Sequence, residues 1–379
     1  VEVSMQGGYF ETVVYLDSDS DKLLEYLNEH VEADEIQLLN NAGTQFIEIK
    51  ARRFLEQEVV DALYSTFDIK AVKMISPVLP ILSGKSNVVP FITCDEMLQY
   101  NEGEDLDLWQ LALHYESARG ALSNEQVFQM MQDIVLTMQN SILKGLKGTQ
   151  YEDRILGYQS GAFQTHMDNQ HLLDGGILNQ IILYTTAMME MKSAMGVIVA
   201  APTAGACGGL PGAVIGAGHV MGLSVEELTR GMLAAGMIGV FIAAHATFAA
   251  EVGGCQAECG SGSGMAAAAL TTLGGGTAQQ AVNAASMALQ NTLGMICDPV
   301  ANRVEVPCLG KNVMAASNAL ACANMALADF DPIIPLDEVI DTMHQVGKSL
   351  PAALRCTGLG GLSITSTSKL IEIKLGGSH

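Results

Sequence analysis

The sequence predicts a chain of two parts, a small α+β domain at the N-terminus and a larger, mainly α-helical domain after it. Short β-rich runs alternate with helical patterns over residues 9–78, and a stretch with several prolines follows. Apolar residues then recur at helical spacing over most of the remaining chain. We therefore assign residues 1–78 to the α+β domain, 79–92 to a linker and 93–379 to the all-α domain.

The N-terminal domain shows the order strand, helix, strand, strand, helix, strand. The predicted strands are Phe10–Leu16, Ile36–Leu39, Phe46–Ala51 and Ile69–Ile75, and the helical faces are Leu23, Leu24, Leu27 and Val31, then Leu55, Val59, Val60 and Leu63. This order is typical of the ferredoxin-like fold and resembles the small ACT-type regulatory domains. An oligomerisation module and an amino-acid sensor both remain open, because such folds host many functions.

Helix signals mark the start of the larger domain. A short helix is expected over Asp105–Ala118, and Ser123 begins a long one, with Gln126 completing a capping box. This long helix is expected to end near Gly145. Its predicted apolar face consists of Val127, Met130, Ile134, Met138 and Ile142.

The segment Gly231–Ala250 is long and apolar enough to span a bilayer. It is rich in Gly and Ala, however, and it lacks the flanking aromatic residues of a membrane span. We therefore expect a buried core helix and no membrane insertion.

Composition limits the partners and the compartment. The formal net charge is −22, which disfavours nucleic acid and anionic membrane surfaces as partners, because both require basic patches. The eight cysteines show no short secreted disulfide spacing, and no signal peptide begins the sequence. A reducing, cytoplasmic environment is the expectation.

Three cysteines stand in breaks between apolar helical runs. Cys255 follows two glycines, Cys297 precedes Asp-Pro, and Cys308 follows a proline. Their wide spacing differs from compact zinc patterns such as C-x2-C, and three thiolates from separate loops suit an iron–sulfur cluster better. Because such a cluster usually takes four cysteines, three would leave one iron open to substrate.

The residues around these cysteines resemble the iron–sulfur-dependent L-serine dehydratases, alpha subunit or domain. The similar segments are GGCQAE at 253–258, CDPVA at 297–301, VEVPC at 304–308, PTAG at 202–205 and GGGT at 274–277. The likeness covers about residues 88–375. It implies a [4Fe–4S] cluster bound through Cys255, Cys297 and Cys308.

The resemblance implies a lyase of amino-acid degradation that converts L-serine into pyruvate and ammonia. An open iron would act as a Lewis acid on the substrate hydroxyl and carboxylate. No PLP is expected, because Lys192 and Lys311 stand in no recognisable PLP motif. The residue that removes the α-proton is not identified by the sequence.

Two glycine-containing turns are the candidate substrate-binding segments. Thr203, Ala204 and Gly205 precede a helix expected from Ala213, and unpaired N–H groups at a helix start suit the serine carboxylate. The family also has a Gly-rich turn near the substrate, which here corresponds to the stretch that contains Ser160 and Gly161.

Other polar or nucleophilic residues allow either a functional or a structural interpretation. His166 and His171 are either acid–base groups or surface residues. Cys207 and Cys259 are expected to be packed thiols rather than ligands. His245 stands where family members commonly carry Asn.

The resemblance also implies a partner besides the small amino-acid substrate. Complete enzymes of the family carry a beta subunit or domain with a Ser-Ser-Ser-His-Thr segment, and this sequence contains no such segment. A beta partner or a homo-oligomer is therefore expected. Three alternatives stay open: a related cluster-dependent lyase such as an L-cysteine desulfidase, a membrane or transport component, and a cluster with a purely structural role.

Overall fold

The computed structural model describes residues 10–16, 20–41, 44–51, 53–75, 88–152 and 154–376. The chain forms two compact units, Val1–Ile81 and Leu82–His379. Most of the predicted linker lies outside the described residues.

The N-terminal unit has the predicted order of elements. These are β1 (Phe10–Leu16), α1 (Ser20–His30), β2 (Glu35–Asn41), β3 (Thr44–Ala51), α2 (Gln57–Thr66) and β4 (Ile69–Ile75). The sheet order is β2-β3-β1-β4 and all neighbouring strands are antiparallel. The predicted βαββαβ pattern is confirmed.

The apolar residues of the strands and of the two helices form one small core in this unit. Ile47 and Ile49 on β3 point to the buried side of the sheet, as alternate residues of a strand do. Leu23 and Leu27 on α1 and Leu63 on α2 belong to the same buried cluster. The two helices therefore cover one face of the sheet.

The second unit is mainly α-helical, as predicted. Its helices are α3 (Cys94–Tyr100), α4 (Leu108–Gly120), α5 (Asn124–Leu146), α6 (Gln159–Asp168), α7 (Ile177–Ser193), α8 (Gly209–Met221), α9 (Val225–His245), α10 (Ala250–Gly253), α11 (Ser261–Leu273), α12 (Ala278–Thr292), α13 (Cys308–Leu327), α14 (Leu336–Ser349) and α15 (Ser366–Gly376). A π-helical turn, Gln256–Gly260, leads into α11.

Helix α11 lies at the centre of this unit. It packs against α8, α9, α12 and α13, and every residue from Ser261 to Thr271 is buried. Small side chains explain the close packing. At Gly264, an added Cβ would lie 3.0 Å from the side chain of Leu289.

Helix α9 corresponds to the apolar segment at 231–250. It is long and apolar enough to cross a membrane, but 72% of its most apolar window is buried inside the protein. The prediction of a core helix is confirmed. His245 ends this helix, with its Nε2 3.1 Å from the carbonyl oxygen of Ile92.

The N-terminal half of α5 differs from the prediction. The capping box at Ser123 is present, but Met130 and Ile134 on the predicted face of α5 are 52% and 38% exposed. The buried face turns instead toward α7, where Gly145 lets the two helices touch. A Cβ at Gly145 would lie 2.3 Å from the carbonyl oxygen of Ala187.

Candidate active site

Four cysteine thiols from three chain segments meet in one place. The Sγ of Cys255 lies 3.5 Å from the Sγ of Cys259. The Cys297 thiol is within hydrogen-bonding reach of Cys255 on one side and of Cys356 on the other. These four residues, named the thiol group below, pack together, and all eight cysteines of the chain are free.

Gly254 and Gln256 place Cys255. Gly254 has φ +73°, and a Cβ there would lie 2.7 Å from the carbonyl oxygen of Met295, so only glycine fits without displacement. The buried Gln256 side chain donates to the carbonyl of Met343 at 2.7 Å and accepts from the N–H of Gly294 at 2.8 Å. The π-helical turn is thereby tied to two neighbouring segments.

The C-terminal segment returns to hold Cys297. The Cys297 N–H donates to the carbonyl of Leu354 at 2.8 Å, and the Cys356 N–H donates to the carbonyl of Cys297 at 2.9 Å. Asp298 accepts from the Leu362 N–H at 2.9 Å. The sequence analysis assigned this region to the all-α domain but predicted neither α14 nor α15 individually.

Cys308 begins α13 and is buried. Burial, followed by the proximity of Cys297, raises the pKa of its thiol to about 12. It packs in the main helical core next to the thiol group rather than inside it. The three predicted ligands thus lie in one region, with Cys255 and Cys297 in direct reach of each other.

The predicted substrate loop faces a carboxylate. The Thr203 hydroxyl donates to Oε1 of Glu258 at 2.6 Å and accepts from the Ala206 N–H at 3.1 Å. A Cβ at Gly205 would lie 3.0 Å from the same carboxylate oxygen. Ala204 is exposed. The loop and the segment that carries Cys255 and Cys259 therefore meet at Glu258.

Asn312 joins the loop to the cysteines. Its fully buried amide donates to the carbonyls of Gly205 at 3.1 Å and Cys308 at 2.9 Å. Its Oδ1 accepts from the N–H groups of Gly208 at 3.1 Å and Gly209 at 2.9 Å.

These last two bonds correct one expectation. Helix α8 begins at Gly209, not at Ala213, because Pro211 stands in its first turn, where a missing N–H costs nothing. Unpaired N–H groups were expected at the start of this helix, but the N–H groups of Gly208 and Gly209 at its observed start already bind the Asn312 side chain.

Two lysines lie close to the cysteines. Burial lowers the pKa of Lys192, although Cys207 and Cys308 oppose the effect, and its ammonium donates to the carbonyl of Val304 at 3.0 Å. Lys311 donates to Asp298 at 2.7 Å. Burial opposes its charge, but this hydrogen bond and the nearby thiols outweigh burial and raise its pKa.

The turn at Ser160 and Gly161 forms the first turn of α6. Ser160 is fully buried and its hydroxyl donates to the carboxylate of Glu190, which also accepts from the Gln159 N–H at 2.5 Å. A Cβ at Gly161 would overlap the ring of Tyr158. The hydrogen bonds of this turn run to Glu190 on α7 and not to the thiol group.

His166 and His171, which were either acid–base groups or surface residues, are both exposed, with ring centroids 5.9 Å apart. Cys207 is fully buried against Met189, as expected for a packed thiol.

The donors fit an iron–sulfur cluster better than a single metal ion. Among the described residues, no group of three or more His, Cys, Asp or Glu side chains is arranged to hold one ion. A cluster brings its own sulfides and spreads its cysteine ligands more widely. Buried soft thiols suit such a group, and Lys192 and Lys311 would offset the charge of thiolates.

A family model described as the serine dehydratase alpha chain matches residues 103–363. The chain belongs to this family. A probable L-serine dehydratase alpha chain of Bacillus subtilis is 37% identical over 76% of this chain and 96% of its own length. The L-serine dehydratase alpha chain of Peptoniphilus asaccharolyticus is 35% identical over 74% of this chain and 96% of its own.

Family membership confirms the resemblance stated from the sequence. L-serine dehydratase 1 of Escherichia coli is 33% identical over 73% of this chain, and the match spans 62% of that longer protein.

The sequence analysis missed several residues of the site. Glu258 stands inside the GGCQAE segment, so its position was available, but its contact with Thr203 was not. Lys311 and Asn312 follow Cys308 by one helical turn, which places them near the same loop. Nothing in the sequence around Cys356 indicated that it returns to Cys297.

Proposed function

We propose that this chain is the alpha part of an iron–sulfur-dependent L-serine ammonia-lyase, which deaminates L-serine to pyruvate and ammonia in the cytoplasm. The observation that carries this proposal is the meeting of buried thiols from two family-like segments beside the loop that contains Thr203. Membership of the serine dehydratase alpha chain family supports the same reaction.

Cys255, Cys297 and Cys308 would hold a [4Fe–4S] cluster. When bound, the cluster would supply a Lewis acid for the β-hydroxyl and the carboxylate of the substrate. Lys192 and Lys311 offset the negative charge of the thiolates. PLP has no part in this proposal.

Glu258 is the proposed general base. Burial raises the pKa of its carboxyl, although the hydrogen bond from Thr203 opposes the shift. A carboxylate whose pKa lies closer to the working pH takes up a proton more effectively. The Thr203 hydroxyl orients the Glu258 carboxylate. We propose that this carboxylate takes the α-proton of the bound serine.

The substrate is proposed to bind at Thr203, Ala204 and Gly205, with Ser160 and Gly161 on a second segment of the pocket. Glu190 fixes that second segment by accepting from Ser160 and Gln159. Rigid neighbours of this kind hold reacting groups in place.

A beta subunit or domain is the proposed partner. The Bacillus and Peptoniphilus relatives are both named as alpha chains, a name that implies a separate beta chain. Assembly as a homo-oligomer and an ACT-like role for the N-terminal domain belong to the same proposal, supported by the βαββαβ order.

The proposal is tested by anaerobic reconstitution with iron and sulfide, followed by a pyruvate assay. L-serine and L-cysteine are compared, with and without a beta chain. Pyruvate formed from L-serine with higher kcat/KM than from L-cysteine supports the proposal. Preference for L-cysteine would indicate a desulfidase, and no turnover with any partner would contradict both.

A further inference from the structure

The carboxylate of an amino-acid substrate lacks the partner that the sequence suggested for it. The N–H groups of Gly208 and Gly209 at the start of α8 bind Asn312 instead, and the Thr203 hydroxyl already donates to Glu258 at 2.6 Å. Transfer of a carboxylate from water into a partly buried site is costly unless the charge is paired and hydrogen-bonded. The site therefore requires a cationic side chain that can receive the substrate.

Two cationic side chains of this region do not meet that requirement. The Lys311 ammonium donates to Asp298 at 2.7 Å, so its charge is already paired. Arg355 donates to the carbonyl of Val252 at 3.3 Å, and it is not among the charged groups that act most on the Glu258 carboxyl.

Lys192 differs from both, because no carboxylate of the described residues forms an ion pair with it. It is partly buried near the end of α7, and its ammonium donates to the carbonyl of Val304 at 3.0 Å. In the described part of the chain this is its one hydrogen bond, which leaves two of its three N–H groups for another acceptor. The predicted ligand Cys308 and the proposed base Glu258 are both within electrostatic reach of this ammonium.

The last turn of α7 is fixed against both candidate substrate segments. Glu190 on this turn accepts from the Ser160 hydroxyl. Gly208 lies at the end of the other segment, where a Cβ would stand 2.6 Å from the side chain of Met189. Residues two apart on a helix point in different directions, so α7 presents Glu190 to the Ser160 turn and Lys192 to a segment that bears a predicted ligand.

Resting on the proposed function, we infer that the Lys192 ammonium binds the carboxylate of the substrate and restricts the enzyme to amino acids with a free α-carboxylate. The bond to Val304 sets the direction of the ammonium, and its remaining N–H groups donate to the carboxylate oxygen atoms. This leaves Glu258 for the α-proton. Binding makes and breaks no covalent bond, and the lysine stays charged throughout.

The first test replaces Lys192 by methionine, which has a similar length and no charge. Wild type, Lys192→Met and the control Lys144→Met, at an exposed lysine of α5, are reconstituted anaerobically with the beta partner. Ammonia release is measured with L-serine and with L-serinamide, which has no carboxylate. Lys192→Met should lower kcat/KM for L-serine by about 10- to 150-fold, mainly through KM, because a hydrogen bond to a charged group is lost. It should lower kcat/KM for L-serinamide much less.

A structural role for Lys192, limited to holding the segment at Val304, predicts equal losses with both compounds. Iron content is therefore measured on the same samples and should match wild type. Equal losses with L-serine and L-serinamide overturn the inference. So does a loss of the preference for L-serine in Arg355→Met while Lys192→Met retains it.

The second test uses the wild-type chain and does not depend on a variant's folding. Labelling of lysines by acetic anhydride is followed by mass spectrometry in the loaded protein alone, with excess L-serine, and with L-serinamide at the same concentration. L-serine should slow the labelling of Lys192 severalfold and L-serinamide should not, whereas Lys144 should react alike with both compounds. If the protein deaminates L-serine but Lys192 is labelled equally fast with both compounds, this inference alone fails. If no pyruvate forms with any partner, the proposed function fails as well.

Discussion

Replacement of Asn312 by leucine should destabilise the helical unit strongly, because one buried amide holds four backbone groups. Leucine has a similar size but no polar atoms. The N–H groups of Gly208 and Gly209, both buried, would lose their acceptor. The carbonyls of Gly205 and Cys308 would lose a donor.

The size of the loss in stability follows from the two N–H groups that would be left without an acceptor. Each buried, unsatisfied donor costs about 1–3 kcal/mol, so the substitution should lower the free energy of unfolding by about 2–6 kcal/mol. That is a large share of a typical stability of roughly 5–15 kcal/mol. At about 2 °C per kcal/mol for a unit of this size, the melting temperature should fall by about 4–12 °C.

The assay is thermal unfolding of the metal-free chain, followed by far-ultraviolet circular dichroism, which reports the helices. Asn324→Leu is the matched control, since Asn324 lies on the same helix but is exposed. A surface change of this kind shifts stability by no more than about 0.5 kcal/mol. If Asn312→Leu melts within about 1 °C of this control, by the same conversion, the amide does not hold the loop and the reasoning is wrong.

Three further predictions concern the substrate loop, pH and the partner. Thr203→Val should lower kcat/KM by about 10- to 150-fold at unchanged iron content, since a hydrogen bond to a charged group contributes about 1.5–3 kcal/mol; Thr272→Val on α11 is the control. Folding raises the pKa of the Glu258 carboxyl, so the native state binds more protons than the unfolded state. The free energy of unfolding should therefore fall as the pH rises from the unfolded to the folded pKa. Glu258→Gln should flatten this pH dependence, measured by urea unfolding at several pH values. The chain alone should turn over L-serine weakly, and an added beta chain should restore activity. Strong activity without a beta chain would refute the need for this partner.

Local patterns predicted most of the fold. The alternation in β1–β4 and the helical faces of α1 and α2 were sufficient for the βαββαβ order. The capping box at Ser123 placed the start of α5. The buried face of α5 was predicted less well, because its contact with α7 depends on a backbone approach at Gly145 that side-chain hydrophobicity does not indicate.

The candidate site was predicted in its parts but not in its connections. The segments with Cys255, Cys297 and Thr203 were all identified, because motif residues are local in sequence. The bond from Thr203 to Glu258 joins residues far apart in the chain. The return of Cys356 to Cys297 is set by two backbone hydrogen bonds. Every residue type except proline can donate such a bond, so no sequence pattern reveals this contact.

The measurement that tests the central claim most directly is the iron and sulfide content of cysteine variants after anaerobic reconstitution. Each cysteine is replaced by serine in turn, and the broad visible absorption is recorded with the metal analysis. We expect cluster content to collapse for Cys255→Ser, Cys297→Ser and Cys308→Ser, because thiolates attach the cluster to the chain. The absorption should survive in the packing controls Cys94→Ser, Cys207→Ser and Cys322→Ser. A full cluster in Cys297→Ser, or its loss in the three controls as well, would contradict the account.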